Sequence, residues 1–300
     1  MNIVILGAGA IGSLFGALLS KHHSVLLLGR KPHVSTIQSN GLHIQGKTVF
    51  HEKISATDTV KNVSFDVDLL LLTVKSYDTI KAIKQAKPII SKNTIVLTFQ
   101  NGLDNIEKLQ SVISKNQILA GITTHGAVFK SPGVVHHTGI GRTIIGELDG
   151  AETKRLKNIV ELFDEANIPV KISYDILKDI WQKAIINSSI NPLTAIFQCK
   201  NGYLMENPIL FHLISCLCEE STNVAKSMGY TFTTEHLFEQ TIQVINETFN
   251  NNSSMLQSVE RKSQTEIDSI NGRIVIFGQN NNISVLLNET VCFIIKQSYS

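Results

Sequence analysis

The feature that most constrains this chain is a glycine-rich turn directly after its first apolar segment. The apolar residues 3–6 are followed by Gly7-Ala8-Gly9-Ala10-Ile11-Gly12, and apolar residues at helical spacing come next. In this spacing Gly7 permits a sharp strand-to-helix turn, Gly9 lets the backbone approach a pyrophosphate, and Gly12 allows close packing of helix on strand. The helix N-terminus then offers N–H groups to the phosphates. All six residues of the turn are predicted to bind a dinucleotide. A tight turn in another kind of α/β protein is the alternative.

The second apolar segment indicates which dinucleotide binds. Folds of this type usually place an acidic residue at the end of the second strand, where it holds the ribose 2′-hydroxyl of NAD. Here residues 24–28 are followed instead by Gly29-Arg30-Lys31. Arg30 can bind a 2′-phosphate with its planar guanidinium group, and Lys31 adds positive charge, so NADPH is predicted as the cofactor. A solvated basic pair without a ligand is the alternative.

Composition excludes several classes of protein. The chain has 300 residues, enough for two domains that each bury a core. Its net charge of +2 gives no strong overall field, so neither nucleic acid nor a membrane surface is predicted as a partner. The four cysteines lack the spacing of a zinc site, and no metal is predicted. No segment has the pattern of a signal peptide or a membrane span, which predicts a cytoplasmic protein.

Strand-like and helix-like segments alternate through the first half of the chain. Continuous apolar runs suit a parallel sheet covered on both faces, and they occur at residues 3–6, 25–28, 69–73, 94–98 and 118–123. Helices are predicted at residues 10–20, 80–86, 103–113 and 152–166, and further strands within residues 126–146 and at 170–172. The prediction is an N-terminal α/β Rossmann domain over residues 1–174, with a doubly wound, mostly parallel sheet.

The rest of the chain has a helical pattern. Apolar and polar positions alternate at helical spacing in five segments, at residues 176–196, 208–228, 234–249, 264–279 and 284–298. An all-α C-terminal domain is therefore predicted over residues 175–300.

One of these helices carries an unusual polar stripe. Lys183, Asn187 and Asn191 are spaced i, i+4, i+8 and share one side of the helix, bordering its apolar arc. Polar groups aimed toward packed protein are costly unless they find partners. Either they satisfy backbone carbonyls between helices, or they bind a ligand. A 2-oxo acid suits the second interpretation: the amides bind its carboxylate or hydroxyl group, and the lysine protonates the carbonyl oxygen as hydride reaches the carbon.

An ordered set of further motifs runs along nearly the whole chain. It comprises Leu72-Thr73-Val74-Lys75, Gln100-Asn101-Gly102, Thr123-Thr124-His125-Gly126-Ala127, Pro192-Leu193-Thr194-Ala195, Asn201-Gly202, Ser253-Ser254-Met255-Leu256-Gln257 and Thr265-Glu266-Ile267-Asp268-Ser269-Ile270-Asn271-Gly272. With the glycine turn and the polar stripe, these motifs resemble the 2-dehydropantoate 2-reductase (ketopantoate reductase) family. The resemblance implies NADPH-dependent reduction of 2-dehydropantoate to (R)-pantoate, in pantothenate and coenzyme A biosynthesis.

The resemblance also implies residue roles. It makes Lys183 the proton donor and places Glu266 in the active site near cofactor and substrate, where its carboxylate can keep Lys183 charged. The implied substrate ligands are Asn101, Lys183, Asn187, Asn191, Asn201, Asn251 and Ser254. The implied cofactor contacts outside the glycine turn are Arg30, Lys75, Asn101, Ala127 and Glu266. Most glutamates are solvated on helix surfaces, and that is the alternative for Glu266, which the pattern places on a helix.

Two rival functions are also compatible with the sequence. One is an NADP-dependent reductase that acts on another 2-oxo acid, because a single fold hosts several chemistries. The other is a binding protein that senses NADPH without turnover. The resemblance also leaves a homodimer open.

Overall fold

The computed structural model describes residues 1–298 and divides the chain into two compact units. The N-terminal unit comprises Met1–Gln100 and Asn105–Leu177, and the C-terminal unit comprises Asn101–Asp104 with the chain from Lys178 onward. The last two positions of the predicted helical domain, residues 299–300, lie outside the described part.

The N-terminal unit alternates strands and helices. Its strands are β1 (Asn2–Leu6), β2 (Ser24–Leu28), β3 (Leu42–Gly46), β4 (Phe50–Glu52), β5 (Ser55–Thr57), β6 (Leu69–Leu72), β7 (Ile95–Thr98), β8 (Ile118–Thr123), β9 (Gly126–Ser131), β10 (Val134–Gly139), β11 (Thr143–Gly146) and β12 (Val170–Ile172). Its helices are α1 (Ala10–Leu19), α2 (Lys31–Asn40), α3 (Thr79–Ala86), α4 (Asn105–Gln110) and α5 (Lys154–Glu165).

Eight of these strands form the main sheet, in the order β12-β11-β8-β7-β6-β1-β2-β5. Neighbouring strands run parallel except β8 and β11, which pair antiparallel. Alternation along β1 sends Ile3 and Ile5 into the apolar core on one face and Val4 and Leu6 into the core on the other. The fold class predicted from the apolar runs is confirmed. Because β2 and β6 lie on opposite sides of β1, the strand order reverses there, which in such sheets places a ligand at the carboxyl end of β1.

A second, four-stranded sheet was not predicted. Its order is β4-β3-β10-β9, so β10, in the β-rich segment, pairs with β3, while β11 joins the main sheet. The alternation Leu42-His43-Ile44-Gln45 is a strand pattern, with Leu42 and Ile44 buried. This alternation is brief, and β4 and β5 have three residues each, so the strand signal was weak and β3, β4 and β5 were missed. Helix α2 was missed as well, because only His33, Val34 and Ile37 of its ten residues are buried and its apolar periodicity is correspondingly weak.

The C-terminal unit is helical. Its helices are α6 (Ile176–Phe197), α7 (Tyr203–Glu206), α8 (Pro208–Ser227), α9 (Thr234–Glu247), α10 (Ser254–Glu260), α11 (Asn271–Asn280) and α12 (Leu286–Gln297), of which α6 begins two residues before the unit itself. The short helices α7 and α10 were not predicted, since neither is long enough for helical periodicity to be visible.

The predicted helix at residues 264–279 was wrong in its first half. Helix α11 begins only at Asn271, and residues 266–270 form turns in which the Ser269 and Ile270 N–H groups both donate to the carbonyl of Glu266. The Ser269 carbonyl accepts the N–H of Leu103 at 2.8 Å, a tertiary bond that takes the place of a bond within a helix. Glu266 therefore lies in a turn before the helix and not on the helix.

No helix within residues 1–298 combines the length and apolarity needed to cross a bilayer. In the same part of the chain, histidines, cysteines and carboxylates do not assemble into a group of three suited to a metal ion. All four cysteines are free thiols.

Two histidines of the N-terminal unit form a pair of neutral rings. Nε2 of His137 lies 2.9 Å from the Gly139 carbonyl and therefore carries the proton, while its Nδ1 accepts from the Thr48 hydroxyl at 2.8 Å. Nδ1 of His125 lies 3.2 Å from Nε2 of His137. Burial, with the neighbouring His137, lowers the pKa of His125 to about 4, and burial also lowers the pKa of His137.

Mild acid is expected to destabilise the protein through this pair. An unfolded histidine titrates near pH 6.5, so below that value the unfolded chain binds a proton that folded His125, with its pKa of about 4, does not. The free energy of unfolding should fall by about 1–2 kcal/mol between pH 7.5 and pH 5, as urea unfolding would show. His125→Phe, whose ring can keep the edge contact with Phe15, should lose less between the two pH values, whereas the exposed His22→Phe should lose as much as the wild type. Equal losses in all three proteins would rule out this origin.

Candidate active site

The glycine turn after β1 leaves no room for side chains at two of its positions. Gly7 has φ +109°, and a Cβ there would lie 2.5 Å from the backbone nitrogen of Val74. A Cβ on Gly12 would lie 2.3 Å from the Gly7 carbonyl oxygen and 2.5 Å from Oγ1 of Thr73. The Thr73 hydroxyl donates to that same carbonyl at 2.8 Å. The turn is therefore packed tightly against the segment that follows β6, and only glycine fits at Gly7 and Gly12.

Helix α1 presents its N-terminus at the carboxyl end of β1. Its N-cap is Gly9, which has no side chain to bond the first N–H groups, and no acidic residue lies in the first turn. The N–H groups of Ala10 and Ile11 consequently have no helical carbonyl to bond and meet no carboxylate competitor. Gly9 itself is exposed, and the space around it is open. A Cβ placed on Gly9 would meet only the Gly7 carbonyl oxygen, at 4.0 Å. This geometry fits a pyrophosphate group.

Basic side chains follow the two strands that flank β1. Arg30 comes after β2 as the N-cap of α2, and its side chain is 87% exposed, with Nη2 3.7 Å from Oδ2 of Asp78. An exposed ion pair of this kind contributes little stability, so the guanidinium group can exchange Asp78 for a phosphate. Lys75 follows β6 and is half-buried. Ala127, on β9, has no polar side chain to offer and pairs through its backbone with His137 of β10.

The polar stripe of α6 is present in the C-terminal unit. Asn191 is buried, and Lys183 and Asn187 are half-buried. Within the described part of the chain, the side-chain amides of Asn187 and Asn191 have no hydrogen-bond partner. Each amide offers two donors and an acceptor. The two amides are thus available to a ligand and are not used to join helices.

The side-chain amide of Asn201 is held in an orientation that leaves its oxygen, Oδ1, available. Its Nδ2 donates to Oγ1 of Thr248 at 2.8 Å, and Thr248 in turn donates to the Val244 carbonyl at 2.6 Å. The Asn201 backbone N–H donates to the Asn251 carbonyl at 3.1 Å. Oδ1 of Asn201 is buried and has no hydrogen-bond partner among residues 1–298. Thr248, which sequence reasoning missed, therefore sets the orientation of this amide.

Ser254 begins helix α10, and the residue before it anchors that helix. Ser253 is the buried N-cap, whose Oγ accepts the Leu256 N–H at 3.1 Å and lies 2.7 Å from Oγ1 of Thr194 on α6. Ser254 itself is exposed, as is Asn251, which contributes its backbone carbonyl to Asn201. A serine just before an apolar segment is an N-cap signal, so Ser253 could have been found from the sequence.

Lys183 and Glu266 interact electrostatically. Burial lowers the pKa of Lys183 to about 8, and the negative charge of Glu266 opposes that shift. Glu266 is only 7% exposed. A lysine with a pKa near neutrality is a group that can give up its proton during a reaction.

The segment Asn101–Asp104 brings an amide to the same carboxylate. Nδ2 of Asn101 donates to Oε2 of Glu266 at 3.4 Å. Gly102, with φ +105°, lies so close to Ser269 that a Cβ would be 2.7 Å from the serine Cβ, and the Leu103 N–H binds the Ser269 carbonyl. Asn101, Glu266 and Lys183 are therefore associated within the C-terminal unit, and Asn187 and Asn191 continue from Lys183 along α6.

Comparison with known proteins gives consistent matches along the chain. Residues 3–150 match the family model described as ketopantoate reductase PanE/ApbA, and residues 175–299 match that of its C-terminal part. A 2-dehydropantoate 2-reductase of Pyrococcus abyssi is 40% identical, with 99% of this chain and 97% of that protein covered. The crystal structure of a PanE/ApbA family ketopantoate reductase from Ralstonia eutropha JMP134 has 29% identity and a TM-score of 0.91, covering 100% of this chain and 98% of the other.

A protein that bears a different name also shares the fold. A ternary structure of D-mandelate dehydrogenase with NADH and anilino(oxo)acetate has a TM-score of 0.94 at 24% identity, covering 100% of this chain and 98% of the other. At that identity the likeness concerns the fold alone. The two family models together, and the full-length relative at 40% identity, show that this chain belongs to the ketopantoate reductase PanE/ApbA family.

Proposed function

We propose that this chain is an oxidoreductase that reduces 2-dehydropantoate to (R)-pantoate with NADPH, the reaction of pantothenate and coenzyme A biosynthesis. The observation that carries the proposal is the C-terminal unit's combination of a lysine of lowered pKa, its buried carboxylate partner Glu266, and amides without protein partners at Asn187 and Asn191. Full-length similarity to proteins named 2-dehydropantoate 2-reductase supports the same substrate. A cytoplasmic location and a homodimer stay predictions.

The residues of this chain have distinct tasks in the proposed reaction. When bound, the nicotinamide cofactor supplies hydride to the 2-oxo carbon. Lys183 protonates the developing alkoxide, and Glu266 keeps Lys183 charged until then. Asn187 and Asn191 hold the substrate's carboxylate and hydroxyl groups from α6. Asn201 offers a free Oδ1 that can accept a hydroxyl proton, with Ser254 and Asn251 on the segment beside it.

Substrate choice is tested by following loss of NADPH absorbance with purified protein. The panel holds 2-dehydropantoate beside other 2-oxo acids, including an aromatic one such as benzoylformate. Turnover that is at least 100-fold more efficient with 2-dehydropantoate supports the proposal. Preference for another 2-oxo acid contradicts the substrate, and tight NADPH binding without turnover of any acid contradicts the enzyme.

The glycine turn fits a dinucleotide, and Arg30 is proposed to select NADPH. Replacing Arg30 with alanine is expected to raise the KM for NADPH by about 10- to 100-fold, the effect of losing a charged hydrogen-bonding partner of the 2′-phosphate. The KM for NADH, which lacks that phosphate, should change by less than about threefold. The exposed Arg142→Ala serves as the matched control. Equal changes for the two cofactors, or none for either, would exclude Arg30 from phosphate recognition.

A further inference from the structure

Helix α6 contains a proline that removes the usual hydrogen-bond donor of one of its carbonyls. Pro192 lies inside the helix, 16 residues after its start at Ile176. In an α-helix the N–H of each residue bonds the carbonyl four positions earlier, and proline has no N–H. The Ser188 carbonyl therefore lacks its usual donor within the helix, although Ser188 is fully buried. Because buried carbonyls are almost always satisfied, this group needs a partner from elsewhere.

The partner is the side chain of Asn271. Its Nδ2 donates to the Ser188 carbonyl at 3.0 Å, in a buried position. Asn271 is the first residue of α11 and is fully buried. The bond replaces, from a different helix, the N–H that Pro192 cannot supply.

The orientation of the Asn271 amide is determined by a second bond. Nδ2 also donates to Oδ1 of Asn288 on α12 at 3.0 Å. Asn288 in turn donates to Oε2 of Glu220 at 2.9 Å, and Glu220 accepts the Asn288 backbone N–H at 3.1 Å. Both hydrogens of the Asn271 amide are thus used, while its Oδ1 is buried without a hydrogen-bond partner among the residues described. Such a connected polar network defines one arrangement of the helices that contribute to it.

Asn271 joins the two halves of the proposed catalytic group. Ser188, which it holds, follows Asn187 directly and precedes Asn191 by three positions. On its other side, Asn271 follows the turn of residues 266–270, which begins with Glu266. We propose that Asn271 is a positioning residue: by bonding the carbonyl whose usual donor Pro192 removes, it sets the distance between the polar stripe of α6 and Glu266. This inference rests on the proposed function of those residues.

The test is a double-mutant cycle in the full-length protein between Asn271→Ala and Pro192→Ala. The alanine at position 192 restores an N–H for the Ser188 carbonyl, so it can replace the bond that Asn271→Ala removes. Kinetics with NADPH and 2-dehydropantoate, measured across pH, and NADPH affinity are determined for the wild type, both single variants and the double variant. Asn280→Ala, at the exposed end of the same helix, is the matched control.

Asn271→Ala alone is expected to lower kcat by about 10- to 100-fold, since a displacement of about 1 Å in a catalytic group has effects of that size. In the pH profile of kcat/KM for this variant, the fall at alkaline pH should begin at a lower pH, because Glu266 shifts away from Lys183. The affinity of Asn271→Ala for NADPH should stay within about twofold of the wild-type value. The kcat of Pro192→Ala alone should stay within about threefold of the wild-type value. The double variant should recover at least half of the lost activity on a logarithmic scale. If Asn271→Ala does not fold, Asn271→Ser in the same cycle is judged by the same criteria.

Wild-type kcat in Asn271→Ala, or a loss that Pro192→Ala does not relieve, overturns the positioning role. A loss in kcat with an unmoved pH profile also overturns it, because the distance to Glu266 would then be unchanged. A wild-type protein that does not turn over 2-dehydropantoate contradicts the proposed function, and the positioning role fails with it. An active wild type with an unaffected Asn271→Ala contradicts the inference only.

Discussion

Replacing Lys183 with alanine is expected to lower kcat with 2-dehydropantoate by about 10²- to 10⁴-fold, the range lost with a positioned general acid. The loss should appear in kcat because the proton is needed when charge develops on the oxygen, and not when the substrate binds. The affinity for NADPH should change little, since the glycine turn belongs to the N-terminal unit. Steady-state kinetics and a fluorescence titration with NADPH measure the two quantities.

A second substitution tests whether Lys183 acts as a proton donor or only as a positive charge. Lys183→Arg keeps the cation but holds its proton at every accessible pH, so it should also lose at least 10²-fold in kcat. Lys226→Ala, at an exposed lysine of the same unit, should behave like the wild type. Near-normal turnover in Lys183→Ala would remove Lys183 from the mechanism. Full activity in Lys183→Arg would reduce its role to charge alone.

Replacing Glu266 with glutamine is expected to move the alkaline limb of the pH profile. Lys183 must be protonated to act, and its pKa is about 8, so wild-type kcat/KM should be level below about pH 8 and fall above it. Burial lowers that pKa and the Glu266 carboxylate opposes the shift. A neighbouring opposite charge contributes about 1–3 pKa units, so without it the limb moves toward neutral pH or below. Activity at pH 8 should then fall by about tenfold or more.

Glutamine retains an oxygen for the Asn101 amide, so the substitution removes the charge and little else. The exposed Glu239→Gln is the matched control and should leave the limb near pH 8. If Glu266→Gln lowers activity by the same factor at every pH, Glu266 acts on the substrate or on packing and does not support the charge of Lys183.

The main sheet was predictable because its strands are continuous apolar runs. Such runs specify burial on both faces wherever they fall in the fold, so β1, β2, β6, β7 and β8 were found close to their true bounds. The second sheet was missed because β4 has only three residues and β3 is not a continuous apolar run. Both become strands through pairing with other segments, which no local pattern records. The first half of the helix predicted at residues 264–279 failed for a related reason: the Ser269 carbonyl bonds Leu103 and not a residue of its own segment.

The candidate site was predictable to a different degree at each position. Helical periodicity alone put Lys183, Asn187 and Asn191 on one side of α6, since a helix repeats regardless of what surrounds it. Glu266 and Asn101 were chosen by resemblance, because their association depends on turns and loops that join remote parts of the chain. Thr248, which orients Asn201, carried no sequence signal: a threonine near a helix end is common and shows its purpose only through its partner.

By itself, then, the sequence determined the glycine turn, the parallel sheet, the helical character of the second half and the polar stripe, all of which follow from backbone sterics and from periodic burial of apolar side chains. Only the tertiary structure decided that Asn101 donates to Glu266, that Asn271 bonds the carbonyl whose usual donor Pro192 removes, and that Lys183 is half-buried near a carboxylate. The physical reason is that hydrogen bonds and charge interactions depend on distance in space, and pairs separated by 83 or 165 positions meet only after the chain has packed.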